Sequence, residues 1–157
     1  MARVAILMGS PNDHEVMKPA ADVLRQLGIE ADVRVISAHR TPERLTRFLD
    51  AATGEGVAVV ICGAGGAAHL AGVTAAHTLL PVLGVPIDSS PLQGFDALLS
   101  TVQMPAGIPV ATFGVGRSGA RNAGLFAAAI LAGADPEVRK RLEEYRQEQS
   151  ARVPERP

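Results

Sequence analysis

A strand-like run over residues 3–8 stops at Gly9-Ser10-Pro11-Asn12-Asp13 and turns helical, and the same break recurs twice more. Val33-Arg34-Val35-Ile36 stops at Ser37-Ala38-His39-Arg40-Thr41-Pro42, and the run 57–62 stops at Gly63-Ala64-Gly65-Gly66-Ala67-Ala68-His69. Strands alternating with helices imply right-handed βαβ units on a parallel sheet. In such a sheet the carboxyl ends of the strands share one edge, and ligands bind in the crevice there. Three strand ends bearing glycines, hydroxyls, an acid, an arginine and two histidines therefore predict a small-molecule site built from distant sequence.

The full reading is strand 3–8, helix 13–27, strand 31–36, helix 41–54, strand 57–62 and helix 67–79. Strand 82–85, helix 91–102, strand 109–113, helix 117–132 and a C-terminal helix 135–149 follow, with 150–157 as a frayed tail. Gly28 is placed to end the first helix, since glycine tolerates the left-handed conformation beyond a C-cap. Thr41-Pro42-Glu43 has the form of a helix start, with a hydroxyl N-cap, proline in the first turn and an acid next. The near-continuous apolar strands 57–62 and 82–85 suit burial on both faces. The 157 residues are expected to form a single α/β domain with its core over about 3–132.

Apolar residues make up 47% of the chain and aromatics 3%, so alanine and valine must fill a closely packed core. The net charge of -1 comes without a basic cluster, which argues against a nucleic-acid surface. No apolar run approaches the roughly 20 residues of a membrane-spanning helix, and no signal-peptide pattern opens the chain. A lone Cys62 excludes an intramolecular disulfide and fits a reducing cytoplasm.

The helix at 117–132 is apolar nearly all round. Ala120, Ala123, Gly124, Ala127, Ala128 and Leu131 form one face, and Leu125, Phe126, Ala129 and Ile130 cover much of the rest. A helix apolar on all sides is buried on all sides. Small residues admit a second backbone, so subunit contacts and a homo-oligomer are expected; the competing reading is a central helix hidden under the C-terminal one.

At the first strand end, a turn before a helix presents free N–H groups and a positive dipole end suited to phosphate. In this Gly9-Ser10-Pro11-Asn12-Asp13 turn, Ser10 adds a hydroxyl, and Asp13 serves either as N-cap or as acceptor from ribose hydroxyls. The loop is neither G-x-G-x-x-G nor a Walker loop, so no dinucleotide or triphosphate is indicated. At the second, Arg40 offers a fork of donors for phosphate beside Ser37, and His39 is a proton carrier suited to neutral pH. At the third, Ala64, Gly65 and Gly66 permit close ligand approach. His69 then opens a helix with Leu70, where a positive charge is disfavoured and a neutral hydrogen-bonding role is favoured. His77 reads as packing or interface, His14 as surface, and Cys62 as a small buried hydrophobe. No residue set has zinc-ligand spacing, so no metal is expected. Ser89-Ser90 and Gln103-Met104-Pro105 are further loop candidates, the latter either covering a ligand or packing.

These stretches together resemble one family. Met8-Gly9-Ser10 with Asp13, Ser37-Ala38-His39-Arg40-Thr41-Pro42 and Gly63-Ala64-Gly65-Gly66-Ala67-Ala68-His69-Leu70 are similar to the bacterial-type N5-carboxyaminoimidazole ribonucleotide mutases, the PurE family of purine biosynthesis. So are Leu80-Pro81-Val82-Leu83-Gly84-Val85-Pro86, Ser100-Thr101-Val102-Gln103-Met104-Pro105, and Gly119-Ala120 with Asn122-Ala123. Asn12, Ala71 and Val73 depart from the family's usual Ser, Pro and Met. The resemblance implies a flavodoxin-like three-layer α/β/α fold, a homo-octamer with sites between subunits, a ribonucleotide substrate, and neither cofactor nor metal. It implies carboxyl transfer from N5 to C4 with His39 as acid and base. Ser10, Ser37 and Arg40 would hold the phosphate, Asp13 the ribose, and the glycine-rich third loop the carboxylate. The competing activities are a CO2-dependent carboxylase of the same fold and a non-catalytic nucleotide-sensing module.

Overall fold

The computed structural model describes residues 2–156. Five parallel strands form one sheet in the order β2-β1-β3-β4-β5. They are β1 (Arg3–Met8), β2 (Ala31–Val35), β3 (Val57–Gly65), β4 (Val82–Ile87) and β5 (Ala111–Thr112). The helices are α1 (His14–Gln26), α2 (Pro42–Ala52), α3 (Leu70–His77), α4 (Phe95–Val102), α5 (Arg117–Leu131) and α6 (Pro136–Ala151). A short 3-10 turn, Pro11–Asp13, precedes α1. This is the flavodoxin-like three-layer α/β/α arrangement that the family resemblance implies, built on the parallel sheet expected from the alternation of elements.

The central strands β1, β3 and β4 are covered on both faces, while β2 at one edge stays largely exposed. Val4, Ile6 and Met8 point into a layer made by α1, α5 and α6. Ala5 and Leu7, the alternate residues of β1, point into the layer of α2 and α3. Side chains alternate with period two along a strand, so a strand covered on both sides must be apolar throughout.

Several boundaries differ from expectation, each for a local reason. β3 runs on to Gly65 instead of stopping at Cys62, pairing Ala64 with Pro86 and Gly65 with Ile87. The glycines there provide room: a Cβ on Gly63 would lie 2.3 Å from Met17 Sδ, and one on Gly65 1.8 Å from Ser89 Oγ. Helix α3 starts at Leu70 rather than 67, after the left-handed Gly66 at φ 60°. Helix α4 starts at Phe95, not 91, because Gln93 and Gly94 take positive φ. β5 has only two residues; Pro109 carries no N–H for the ladder, yet Phe113 N–H still reaches Gly84 O at 2.9 Å. Helix α6 extends to Ala151, into the stretch expected to fray.

Gly28 ends α1 as expected. It sits at φ 72°, with Gly28 N–H bonded to Arg25 O and Ile29 N–H to Leu24 O, the Schellman pattern. It also gives way to α6: Arg141 Nη1 donates to Leu27 O at 3.2 Å through space that a Cβ on Gly28 would fill.

The small-residue face of α5 is buried, but by its own chain. A Cβ on Gly124 would lie 2.6 Å from Val23 Cγ1 and 2.9 Å from Ala20 O, both on α1. Ala120, Ala123, Ala127 and Ala128 are fully buried in the same layer. Leu131 is half-buried, and Phe126, Ala129 and Ile130 stay exposed on the opposite side. Thus the close backbone approach is α1 to α5, and the stripe of small residues is not a subunit contact.

Candidate active site

The carboxyl ends of β1, β2, β3 and β4 enclose a pocket of about 330 Å³. It lies where the chain leaves β1 for β2 on one side and returns as β3 on the other, the topological switch point at which open α/β sheets bind ligands. From the first loop Gly9, Ser10 and Asp13 line it; from the second, Ser37, Ala38, His39 and Arg40. Ala64, Gly65, Ala67, His69 and Leu70 line it from the third, and Ser89 from the end of β4. Of the residues assigned to the substrate site in sequence, Gly66 alone stands outside the lining, at the turn beyond β3. Ala38, Ala67 and Ser89 are additions. In sequence Ser89 reads only as a loop residue, because its place at the pocket depends on β4 lying beside β3.

The two histidines meet. His39 Nε2 lies 2.7 Å from His69 Nδ1, and the rings are edge to face at 89° with centroids 4.9 Å apart. His69 takes the N-cap position of α3, which agrees with a hydrogen-bonding role at a helix start. A contact between two imidazole nitrogens needs one N–H and one lone pair, so at least one ring presents an unprotonated nitrogen.

Arg40 is held ready at the mouth. Its Nη2 donates to Gly9 O at 2.7 Å, and its Nε and backbone N–H reach Ser37 Oγ at 3.4 Å and 3.1 Å. The guanidinium thereby bridges the ends of β1 and β2 before any ligand arrives.

The first loop differs from expectation in its donors. Ser10 N–H donates to the Asp13 carboxylate at 3.0 Å, Asn12 N–H to Ser10 Oγ at 3.3 Å, and Asp13 N–H to Ser10 O at 3.1 Å. The turn spends these N–H groups on itself, which leaves the Ser10 hydroxyl proton and Arg40 as anion donors on this side. Asp13 is buried and belongs to a capping box with Ser10. Burial pushes its carboxyl above the usual range, against the opposing pull of Ser10 N–H and Arg40.

The remaining candidates fall away from the pocket. His14 and His77 are exposed, the latter against Val73 O at 2.8 Å. Met104 packs on Gly72 of α3, 3.1 Å from where a Cβ would stand, so the stretch 103–105 packs and does not cover this pocket. Cys62 is fully buried beside Thr74, and burial raises its thiol to about 12; it is a small hydrophobe rather than a nucleophile. Among the described residues, no three His, Cys, Asp or Glu side chains gather as a metal-ligand set.

The model of the family described as AIR carboxylase matches residues 3–152 of the chain. A Brucella melitensis protein named N5-carboxyaminoimidazole ribonucleotide mutase is 58% identical over 154 residues, spanning 98% of this chain and 95% of that one. The Escherichia coli K12 protein of the same name is 52% identical over 156 residues, 99% of this chain and 92% of that one. Among solved structures, Treponema denticola PurE superposes with a TM-score of 0.85 at 28% identity, over 96% of this chain and 93% of that one.

Proposed function

Because the chain belongs to the AIR carboxylase family, and because relatives 50–58% identical to it are named mutases, we propose that it is an N5-carboxyaminoimidazole ribonucleotide mutase. It is an isomerase of purine biosynthesis that moves a carboxyl group from N5 to C4 of the aminoimidazole. The observation that carries the reading to this chain's own chemistry is the His39–His69 pair, 2.7 Å apart in a pocket that also holds Arg40, Ser37 and Ser10.

The reaction needs one proton delivered and one removed. His39 protonates N5 as the carbamate C–N bond breaks; the bonding electrons stay on nitrogen and the carboxylate departs as CO2. The enamine-like C4 attacks that CO2, and a C–C bond forms. The C4 proton then returns to His39, restoring the aromatic ring and the histidine. One imidazole serves as acid and then base, and His69 orients it.

Arg40, Ser37 and Ser10 bind the phosphate, a contact remote from the reacting bond that converts affinity into positioning. Asp13 accepts from the ribose hydroxyls. Ala64, Gly65 and Leu70 form the wall against which the carboxylate or CO2 rests. Confinement of CO2 there excludes water between the two steps.

The active assembly is a homo-octamer with sites closed where subunits meet. Two features support this. Phe95, Leu99 and Val102 make an exposed apolar stripe on α4, larger than an isolated surface side chain. A groove of about 970 Å³ between α5 and α6, lined by Leu125, Phe126 and Tyr145 among others, also lies open. A substrate drawn from nucleotide synthesis implies a cytoplasmic setting, and the free Cys62 thiol accords with it.

The test is turnover of substrate labelled in its carboxyl group, without ATP or metal, in excess unlabelled bicarbonate. Conversion with the label largely retained is the expected result. Label washed out, with decarboxylated aminoimidazole ribonucleotide accumulating, would favour the CO2-dependent carboxylase. Binding without any conversion would overturn an enzymatic role.

A further inference from the structure

Thr41 stands at the N-cap position of α2, ahead of Pro42, with φ −137°. A hydroxyl there ordinarily accepts from an N–H of the first helical turn. Thr41 makes no such bond. Its Oγ1 instead accepts from Ser37 N–H at 3.0 Å and donates to Ser37 O at 3.0 Å. Thr41 N–H donates to the same carbonyl at 2.9 Å. Three hydrogen bonds thus close residues 37–41 into a ring, and the ring carries Ala38, His39 and Arg40.

The hold passes on. The Ser37 hydroxyl accepts from Arg40 N–H and Nε, and His39, between those two residues, reaches His69 from the top of the ring. Thr41 itself does not line the pocket. Its hydroxyl gives up the stabilisation of a helix end and clasps a catalytic loop.

We propose that Thr41 is a positioning residue of the carboxyl-transfer site, its hydroxyl fixing the loop that sets His39 against His69. The proposal rests on the mutase reading for its kinetic readout, and on the loop geometry for a second readout that needs no substrate.

The experiment compares Thr41→Val, nearly isosteric without the hydroxyl, with Thr41→Ser, which keeps it, in the full-length protein. The measurements are kcat, KM, Tm and the imidazole nitrogen NMR signals of His39. Misplacement of a reacting group by about 1 Å costs on the order of 10²-fold. Thr41→Val is therefore expected to lose kcat on that scale with a smaller change in KM and a modest drop in Tm, since two loop hydrogen bonds are lost but no helix cap is. Its His39 signals should move, and Thr41→Ser should restore both signals and kcat. Wild-type kcat in Thr41→Val, or lost kcat with unmoved His39 signals, overturns the proposal. So does an unfolded Thr41→Val beside a fully stable Thr41→Ser, which would assign the hydroxyl to stability. If the unaltered protein fails to convert the substrate, the mutase reading falls, while the His39 signals still decide the positioning role.

Discussion

His39 Nε2 and His69 Nδ1 approach to 2.7 Å although thirty residues separate them, because each rides a loop leaving a different strand of one sheet. One ring donates and the other accepts, so His39, the proposed proton carrier, is held in a defined orientation. Positioned general acid–base groups contribute about 10²–10⁴-fold. His39→Asn is expected to lower kcat by that amount or more while substrate affinity changes little. His69→Asn should cost less, since His69 orients the ring without carrying the proton to carbon. Single-turnover rates alongside equilibrium binding check both, and substantial turnover in His39→Asn would remove it from the role.

Arg40 should show the opposite division. It is tied to Gly9 O and Ser37 before ligand binds, so a phosphate meets an ordered fork. Hydrogen bonds to charged groups are worth about 1.5–3 kcal/mol. Arg40→Ala should weaken binding by roughly 10- to 100-fold, with kcat less affected. Arg40→Lys should not recover it, because an ammonium cannot reproduce the fork. Calorimetric titration with the product nucleotide reads this directly, and an unchanged affinity would dismiss the phosphate role.

Asp13 predicts a pH signature in stability. Its carboxyl is raised by burial above the ordinary carboxylate value, so folding favours the neutral form. Its contribution to stability is present below the unfolded value and is lost as pH rises through the folded one. Asp13→Asn keeps an acceptor for Ser10 N–H and removes the charge. It should raise Tm at pH 7, gain less or nothing in acid, and weaken ribose binding. A Tm below wild type at pH 7 would mean that the partners of the carboxylate outweigh its burial.

The apolar face of α4 tests assembly. Phe95→Glu or Leu99→Glu places a charge on an already exposed position, so a lone subunit should fold unchanged. Dissociation by light scattering, accompanied by lost turnover, is the expected outcome. An intact assembly would put the subunit contacts elsewhere.

How far the sequence speaks can be judged from particular residues. The strand 3–8 was legible to the residue, because continuous apolar character ending in Gly9-Ser10-Pro11 has few alternatives. The loops bearing Ser10, His39 and His69 were legible as a shared site because parallel strands put their carboxyl ends together. Gly63 and Gly65 misled, since glycine in a sequence marks freedom or room without saying which. Here Met17 and Ser89 need the room, and only Gly66 needs the freedom. The α5 alanines announced a close neighbour but not its identity; periodicity gives the buried face, and the covering element, α1, comes from tertiary structure. Thr41 and Ser10 were read as caps and donors by position, while their actual bonds depend on where neighbouring loops turn.

The junction of Gly28 with Arg141 couples the local stability of two distant helices. Arg141 on α6 bonds the carbonyl of Leu27, the residue before the left-handed Gly28 that ends α1. That bond ties the C-terminal helix to the end of the first across a separation of 114 positions. The first and last helices are therefore expected to open together. Amides of α6 should exchange with solvent no more slowly than those around the α1 terminus, and Gly28→Ala should loosen both together.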